Sequence, residues 1–234
     1  MRSCVNFDFD GVVADTEELH FEGYNRALAA SAGGIGGLLT IGHDDYMARY
    51  CPYGDFEAFS HMLEDNGRPS GSALIAGLID IKSLEMERLL SAVTEPLPGV
   101  RDTLDILDRL GVPRAICSSA ATSEIRQVLS ACRLLDRFEL IIGIEDVTHS
   151  KPDPEGYEKA FRALNASHGG VLELGHSLAV EDSCGGADAA RAAGLRVLGV
   201  ATNLPIDQIG AHATWAVESL VDASEADWRG WLGR

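Results

Sequence analysis

The chain has 234 residues, 46% of them hydrophobic and 24% charged, which suits one large soluble core domain or a core with a modest second domain. Its formal net charge of −17 opposes nucleic acid and anionic membrane surfaces, because the long-range field repels polyanions, whereas a small phosphorylated molecule can still be held by local cations and backbone N–H groups. No apolar run reaches the roughly eighteen residues that span a bilayer, and no basic, apolar signal-like segment precedes Asp8.

The first element is a short apolar run, Val5 to Phe7, that reads as a buried strand running into Asp8-Phe9-Asp10-Gly11-Val12-Val13-Ala14-Asp15-Thr16-Glu17. Two carboxylates one residue apart at a strand end repel each other and are tolerated best around a divalent cation, for which an oxygen site suits Mg²⁺. Gly11 lets the backbone turn sharply beside a ligand. Taken alone, Asp-x-Asp also suits a solvated strand end or a helix cap.

Residues 17 to 91 read as helices. Phe21, Tyr24 and Leu28 share helical spacing, and Asp44 to Tyr50, Asp55 to Glu64 and Ser72 to Leu90 have helical length without β-branched alternation. Gly33 to Gly37 and Asn66 to Pro69 read as connections; the first is no nucleotide loop, since Leu39 stands where a third glycine is needed and a helix, not a strand, precedes it.

From Pro96 the texture alternates. An amphipathic helix carrying Val100, Leu104 and Leu107 ends at Gly111, and short apolar strands follow at Arg114 to Cys117, Leu140 to Ile144, Ser177 to Val180 and Arg196 to Val200. Helices separate them, including Pro154 to Leu164, where Tyr157, Phe161 and Leu164 share a face. The expected fold is α/β: a doubly wound, Rossmann-like parallel sheet interrupted by an inserted all-helical domain, with residues 1–15 and 96–234 as core and 16–95 as insertion.

Three further clusters stand at predicted strand ends. Ser118 and Ser119 follow the second strand ahead of a helix starting near Thr122, as a phosphate cradle or simply as helix caps. Lys151 leads Lys-Pro-Asp-Pro before a proline-initiated helix, and Glu181-Asp182-Ser183 closes the fourth strand ahead of a glycine-rich turn.

Together with Asp-x-Asp-Gly-Val-Val-x-Asp-Thr-Glu, these clusters in this order resemble the four motifs of the haloacid dehalogenase-like superfamily, in the branch that holds β-phosphoglucomutase and many small-molecule phosphatases. The resemblance covers residues 4 to 18 and 96 to 202; the helical insertion matches in type and placement only. It implies a central first strand flanked by the second and fourth, so that Asp8, Ser118 and Asp182 converge. It implies that Asp8 is the nucleophile, that Asp10 is the general acid and base, and that Ser118, Lys151 and backbone N–H groups near Gly11 stabilise the transferring phosphoryl group. Mg²⁺ is expected on Asp8, Asp182 and the main-chain carbonyl of Asp10, with Glu181 assisting through water or from behind. A carboxylate at Asp10 favours phosphoryl transfer over halide release, since the resembling dehalogenases do not need one there.

The insertion is then expected to be a cap that reads a small phosphorylated metabolite, like phosphoglycolate or a sugar phosphate. Candidate readers are His20, Tyr24, His43, Tyr46, Arg49 and Lys82, with Gly11 and Ser119 on the core side. The plainer alternative pairs Arg49 with Asp45 and Lys82 with Glu85 on helix surfaces. A mutase of this branch carries a phosphate-gripping arginine three residues after an early cap glycine; if Gly42 is that glycine, Asp45 stands in its place, which favours hydrolysis. A non-catalytic regulatory member is the third reading. Five scattered cysteines without a Cys-x-x-Cys pair indicate neither a disulfide framework nor a zinc site, so a reducing cytoplasm is expected, with a monomer or homodimer.

Overall fold

The computed structural model describes residues 2–51 and 53–234. The chain divides into two units, Met1–Asp15 with Val93–Arg234, and Thr16–Ala92. Strand β1 (Val5–Phe7) is wholly buried. It is followed by the helical unit: α1 (Glu17–Ala30), a single turn α2 (His43–Asp45) that widens into a π-helical turn at Tyr46–Tyr50, α3 (Asp55–Asp65) and α4 (Ser72–Leu90). Tyr24, Ala27 and Leu28 of α1 pack with Ala58, Phe59, Met62 and Leu63 of α3 and with Ile75 and Leu78 of α4 into that unit's own core. The spacing of three to four residues on each helix puts these side chains on one stripe, so the apolar pattern is sufficient to build it.

The other unit alternates helix and strand: α5 (Val100–Leu110), β2 (Arg114–Cys117), α6 (Thr122–Ala131), β3 (Leu140–Ile142), α7 (Glu155–Ser167), β4 (Leu178–Glu181), α8 (Cys184–Ala192), β5 (Arg196–Val200), α9 (Ile206–Gly210), β6 (Trp215–Val217) and α10 (Glu225–Trp231). Among the described residues six parallel strands form one sheet in the order β3-β2-β1-β4-β5-β6. Successive strands wind outward from β1 in one direction as far as β3 and in the other from β4 to β6, so the winding reverses between β1 and β4. Parallel strands need both faces covered, and here they are. Cys4, Ala115, Cys117, Ala179 and Val197 pack with Tyr157, Ala160 and Leu164 of α7 and with the alanines of α8, while their alternating neighbours Phe7, Ile116, Val180 and Leu198 are buried on the opposite face.

The doubly wound parallel sheet matches the expectation, with three local differences. The third strand stops at Ile142 rather than Ile144, because the Gly143 N–H is taken by the Asp146 carboxylate at 3.0 Å and a 3-10 turn, Ile144–Asp146, begins. The fourth runs to Glu181, one residue beyond the predicted Val180. The sixth strand was not foreseen: its three half-buried residues at the sheet edge carry no apolar alternation long enough to read. Cys4, Cys117, Cys132 and Cys184 are free thiols, and no helix among the described residues is long and apolar enough to cross a membrane.

One glycine fixes where the sheet resumes after the helical unit. Gly99, with φ of 83°, precedes α5, and a Cβ there would lie 2.3 Å from the Val221 backbone nitrogen. Backbone cannot yield as a side-chain tip can. Gly99→Ala is therefore expected to lower stability by at least about 2 kcal/mol, combining left-handed strain with the clash; a denaturant melt with unchanged midpoint would contradict this.

Candidate active site

Asp8 stands at the first position beyond β1, next to the reversal of winding where open α/β sheets leave a crevice at their carboxyl edge. Its N–H donates to the Val180 carbonyl at 2.9 Å, which extends the β1–β4 ladder by one residue, and its Oδ1 accepts from the Phe9 N–H at 2.8 Å. The chain then turns at once, with the Gly11 N–H donating to Ala14 O at 2.8 Å and the Val13 N–H to Phe9 O at 2.8 Å. Gly11 has φ of 71°, and a Cβ on it would lie 2.1 Å from Asp182 Oδ2 and 2.6 Å from Asn203 Nδ2. Glycine is therefore required twice at this position, for the turn and for the close approach of β4's carboxylate.

Three carboxylates meet here. Asp8, Glu181 and Asp182 are all buried, and each can offer an oxygen within 4.8 Å of the other two. Lys151 comes in from the loop before α7, its Nζ 2.9 Å from Asp8 Oδ1 and donating to Glu181 Oε1 at 2.7 Å. Glu181 Oε1 also accepts from the Tyr157 hydroxyl at 2.5 Å, and Oε2 accepts from Ser183 Oγ at 3.1 Å. The Ser183 side chain in turn caps α8 by accepting from the Gly186 N–H. Asp182 Oδ2 accepts from Asn203 Nδ2 at 2.7 Å.

The charge balance is unfavourable for the anions. Burial above all, then Glu181, pushes the Asp8 carboxyl up to about 7 against the pull of Lys151, and burial followed by Asp8 raises Asp182 well above its ordinary value. Burial opposes the charged form of Lys151 as well, but Asp8 and Glu181 outweigh it and keep the ammonium charged. One monovalent cation among three buried carboxylates leaves a deficit that a divalent cation would fill, and an all-oxygen donor set suits a hard ion such as Mg²⁺. A second cluster, His149, Asp153 and Glu155, is a poorer fit: its two ends are exposed, and Glu155 already accepts from the Thr148 and His149 N–H groups and from Lys159.

The other predicted core-side residues lie around this centre. Ser118 follows β2, its N–H bonded to Ile142 O at 3.0 Å and its Oγ accepting from the Ala120 N–H at 3.1 Å, with Asp10 Oδ2 at 3.5 Å. Ser119 is exposed and shares a small cleft with Ser118 and Lys151. Tyr157, read from sequence as a core residue only, and Asn203 were missed as site residues. A tyrosine on a buried face needs a partner for its hydroxyl, which was a usable hint; Asn203 follows β5 in an irregular loop, and only its place beyond a strand's carboxyl end pointed to it.

In the helical unit the structure sorts the predicted readers into separate groups. Lys82 is 3% exposed, and its Nζ donates to Asp55 Oδ1 at 2.5 Å, lies 3.2 Å from His20 Nδ1 and sits 4.3 Å from the centre of the Tyr24 ring, whose hydroxyl also donates to Asp55. The surface pairing of Lys82 with Glu85 is thus corrected: Glu85 accepts from Arg26 and Arg88, because Lys82 lies on the buried stripe of α4. Arg49 is half-exposed and engaged elsewhere, 2.5 Å from Asp65 and 4.0 Å from Asp45. His43 meets Glu18 at 2.6 Å, and the Tyr46 hydroxyl donates to Glu17.

A doubly wound, Rossmann-like sheet whose central strand delivers a buried acidic centre beside a lysine is the arrangement of an α/β protein with its chemistry at the carboxyl edge of the sheet. A haloacid dehalogenase-like hydrolase model matches residues 3–194, and the chain belongs to that family. It is 29% identical over 222 residues to protein CbbY of Rhodobacter capsulatus, covering 93% of each chain. It is also 29% identical over 205 residues to a phosphorylated carbohydrates phosphatase of Thermotoga maritima, covering 86% of each. A crystal structure of a CbbY mutant from Rhodobacter sphaeroides in complex with xylulose-(1,5)bisphosphate has the same fold, with a TM-score of 0.83 over 96% of this chain and 97% of that one at 24% identity.

The Lys82–Asp55 pair yields a stability test. Burial alone would raise the Asp55 carboxyl, but Lys82 and the Tyr24 hydroxyl outweigh it and hold it below its ordinary value. A depressed carboxyl stabilises the fold above its unfolded value, and that contribution is lost as pH falls through the folded one. Removing it chemically has the same sign: Asp55→Ala is expected to cost about 3 kcal/mol in a denaturant melt by stranding a buried ammonium, and adding Lys82→Met should recover most of the loss.

Proposed function

We propose that this hydrolase is a Mg²⁺-dependent phosphatase that cleaves the monoester of a small phosphorylated, sugar-like metabolite through an aspartyl-phosphate on Asp8. The observation that carries the reading is Asp8 itself: a buried carboxylate at the reversal of winding, with the Lys151 ammonium 2.9 Å from its Oδ1. The comparisons support it, since one relative is named a phosphorylated carbohydrates phosphatase, and a family fold alone would not specify a substrate.

In the first step the Asp8 carboxylate attacks phosphorus, the bond to the ester oxygen breaks, and Asp10 supplies the proton that the leaving alkoxide takes up. In the second, Asp10 removes a proton from water, the water oxygen attacks the same phosphorus, and the Asp8–phosphorus bond breaks to release inorganic phosphate and restore the carboxylate. Lys151 and Ser118 donate to the phosphoryl oxygens as charge builds on them, and the N–H groups of the Gly11 turn are assigned the same task. Asp8 and Asp182 would hold Mg²⁺, with the Asp10 carbonyl and Glu181 in support; when bound, the ion neutralises charge so that two anions can meet. Substrate choice is assigned to the helical unit, where the buried Lys82 ammonium, paired with Asp55, lies 3.2 Å from Nδ1 of the half-buried His20.

A mutase of this branch would have to return the phosphoryl group to a second hydroxyl. With Gly42 taken as the early cap glycine, the arginine position of a mutase holds Asp45, an exposed carboxylate, which speaks for hydrolysis.

Two outcomes test the proposal. Asp8→Asn is expected to abolish phosphate release from every member of a sugar-phosphate and phosphoglycolate panel while the melting curve stays cooperative, and Asp10→Asn to lower turnover by about 10³-fold; turnover by Asp8→Asn near that of the parent would refute the nucleophile assignment, and isomer formation without phosphate release would select the mutase. Separately, Mg²⁺ at about 100 times its Kd is expected to stabilise the fold by about 2.7 kcal/mol, reversed by a chelator and absent in Asp182→Asn. Equal stabilisation of that variant by Mg²⁺ would place the ion elsewhere.

A further inference from the structure

We propose that Tyr157 is a positioning residue that sets the Lys151 ammonium through Glu181; the inference rests on the phosphatase reading only where it concerns turnover. Lys151 ends a flexible four-carbon chain, and nothing in its own rotamers keeps Nζ beside Asp8. Its place is set by the two carboxylates it bridges, Asp8 Oδ1 at 2.9 Å and Glu181 Oε1 at 2.7 Å. The nearer Glu181 draws the ammonium, the farther is the residue on which the chemistry falls, and a small change in that balance moves the charge off the nucleophile.

Tyr157 acts on this balance from the far side of Glu181. Its hydroxyl donates at 2.5 Å to the same Oε1 that Lys151 uses, so two donors share the negative charge of one oxygen and each is held less tightly than it would be alone. Ser183 holds Oε2 from the start of α8, and the carboxylate lies so close over Gly186 that a Cβ there would be 2.1 Å from it. With one oxygen fixed from α7 and the other from α8, Glu181 cannot rotate to follow Lys151, and the ammonium is presented to Asp8 from a rigid support.

Packing does not account for the hydroxyl. Tyr157 shares a buried face with Ala160 and Leu164, where phenylalanine would fill the same volume, and a buried phenol costs stability unless paired. The Tyr157 ring centre also lies 5.0 Å from Lys151 Nζ, a contact that a phenylalanine would keep. Tyr157→Phe therefore removes one hydrogen bond and little else.

The test joins kinetics to crystallography. In crystals of Tyr157→Phe, Lys151 Nζ is expected to close on Glu181 and to leave hydrogen-bond distance of Asp8, beyond about 3.2 Å. Its kcat for phosphate release is expected to fall about tenfold with KM within about twofold, because a misplaced group costs the transition state more than the bound substrate. In a Glu181→Leu background, which offers neither donor an acceptor, the same substitution should change kcat no further, since the connection is already broken. An unchanged Lys151–Asp8 spacing with unchanged kcat overturns the proposal, as does an equal loss in the Glu181→Leu background. If the parent protein releases phosphate from no substrate, the phosphatase reading fails, and the crystallographic spacing by itself decides the positioning role.

Discussion

Everything at the working end of this molecule follows from three carboxylates held out of water with one ammonium among them. Charges of like sign at such separations are costly in a low-dielectric site, and the surroundings are arranged to bear that cost rather than avoid it. Glu181 is balanced within the protein: Lys151, Tyr157 and Ser183 satisfy both of its oxygens. Asp182 has Asn203, and Asp8 has Lys151 and its own neighbouring N–H. Asp8 and Asp182 are the less fully compensated of the three, and with oxygens within 4.8 Å of each other they are where a divalent cation has most to gain.

The sheet makes this concentration possible. β1 and β4 are neighbours, in register from Val5 opposite Leu178 to Phe7 opposite Val180, so the residues that leave the two strands emerge side by side. β2 flanks β1 on the other side and delivers Ser118 at the same level. Two glycines let the acidic groups approach backbone, Gly11 beneath Asp182 and Gly186 beneath Glu181, and in both cases any larger residue would occupy the space of a carboxylate oxygen. The same economy appears in the helical unit, where Lys82 is buried only because Asp55, Tyr24 and His20 close around it.

Much of this was legible in the chain because strand ends and acidic clusters coincide. Val5 to Phe7, Arg114 to Cys117 and the run ending at Val180 are short, apolar and bounded by turn-forming residues, and the residue after each carries chemistry. Motif order supplied the pairing that periodicity cannot, since a parallel sheet joins strands far apart in sequence. The groups that act from behind were not legible. Tyr157 has the helical spacing of a core residue and is one; that its hydroxyl also reaches Glu181 depends on how α7 packs over β4's end. Asp55 and Lys82 are 27 residues apart on different helices, so only tertiary packing could show that they pair, whereas Lys82 and Glu85 stood at a spacing that sequence favours. Local spacing overstated the local partner because it takes no account of which stripe of the helix is buried.

The net charge of −17 takes on a different meaning once the charges are placed. An acidic protein that handles a phosphorylated molecule must solve an electrostatic problem, and here the field at the site is set by a few groups at contact distance rather than by the whole surface, whose influence is screened beyond about 8–10 Å at ordinary salt. Surface ion pairs such as Arg137 with Asp105 and Asp108, or Arg229 with Glu225, pair opposite charges at little gain in stability. The centre places its charges differently: one lysine is held at contact distance of Asp8 and Glu181, and the three buried carboxylates leave a charge deficit that a divalent cation would fill. An acidic exterior and the proposed phosphate chemistry are therefore compatible because they operate at different distances, the short-range part being Lys151 with the carboxylate and phenol that hold it, Glu181 and Tyr157.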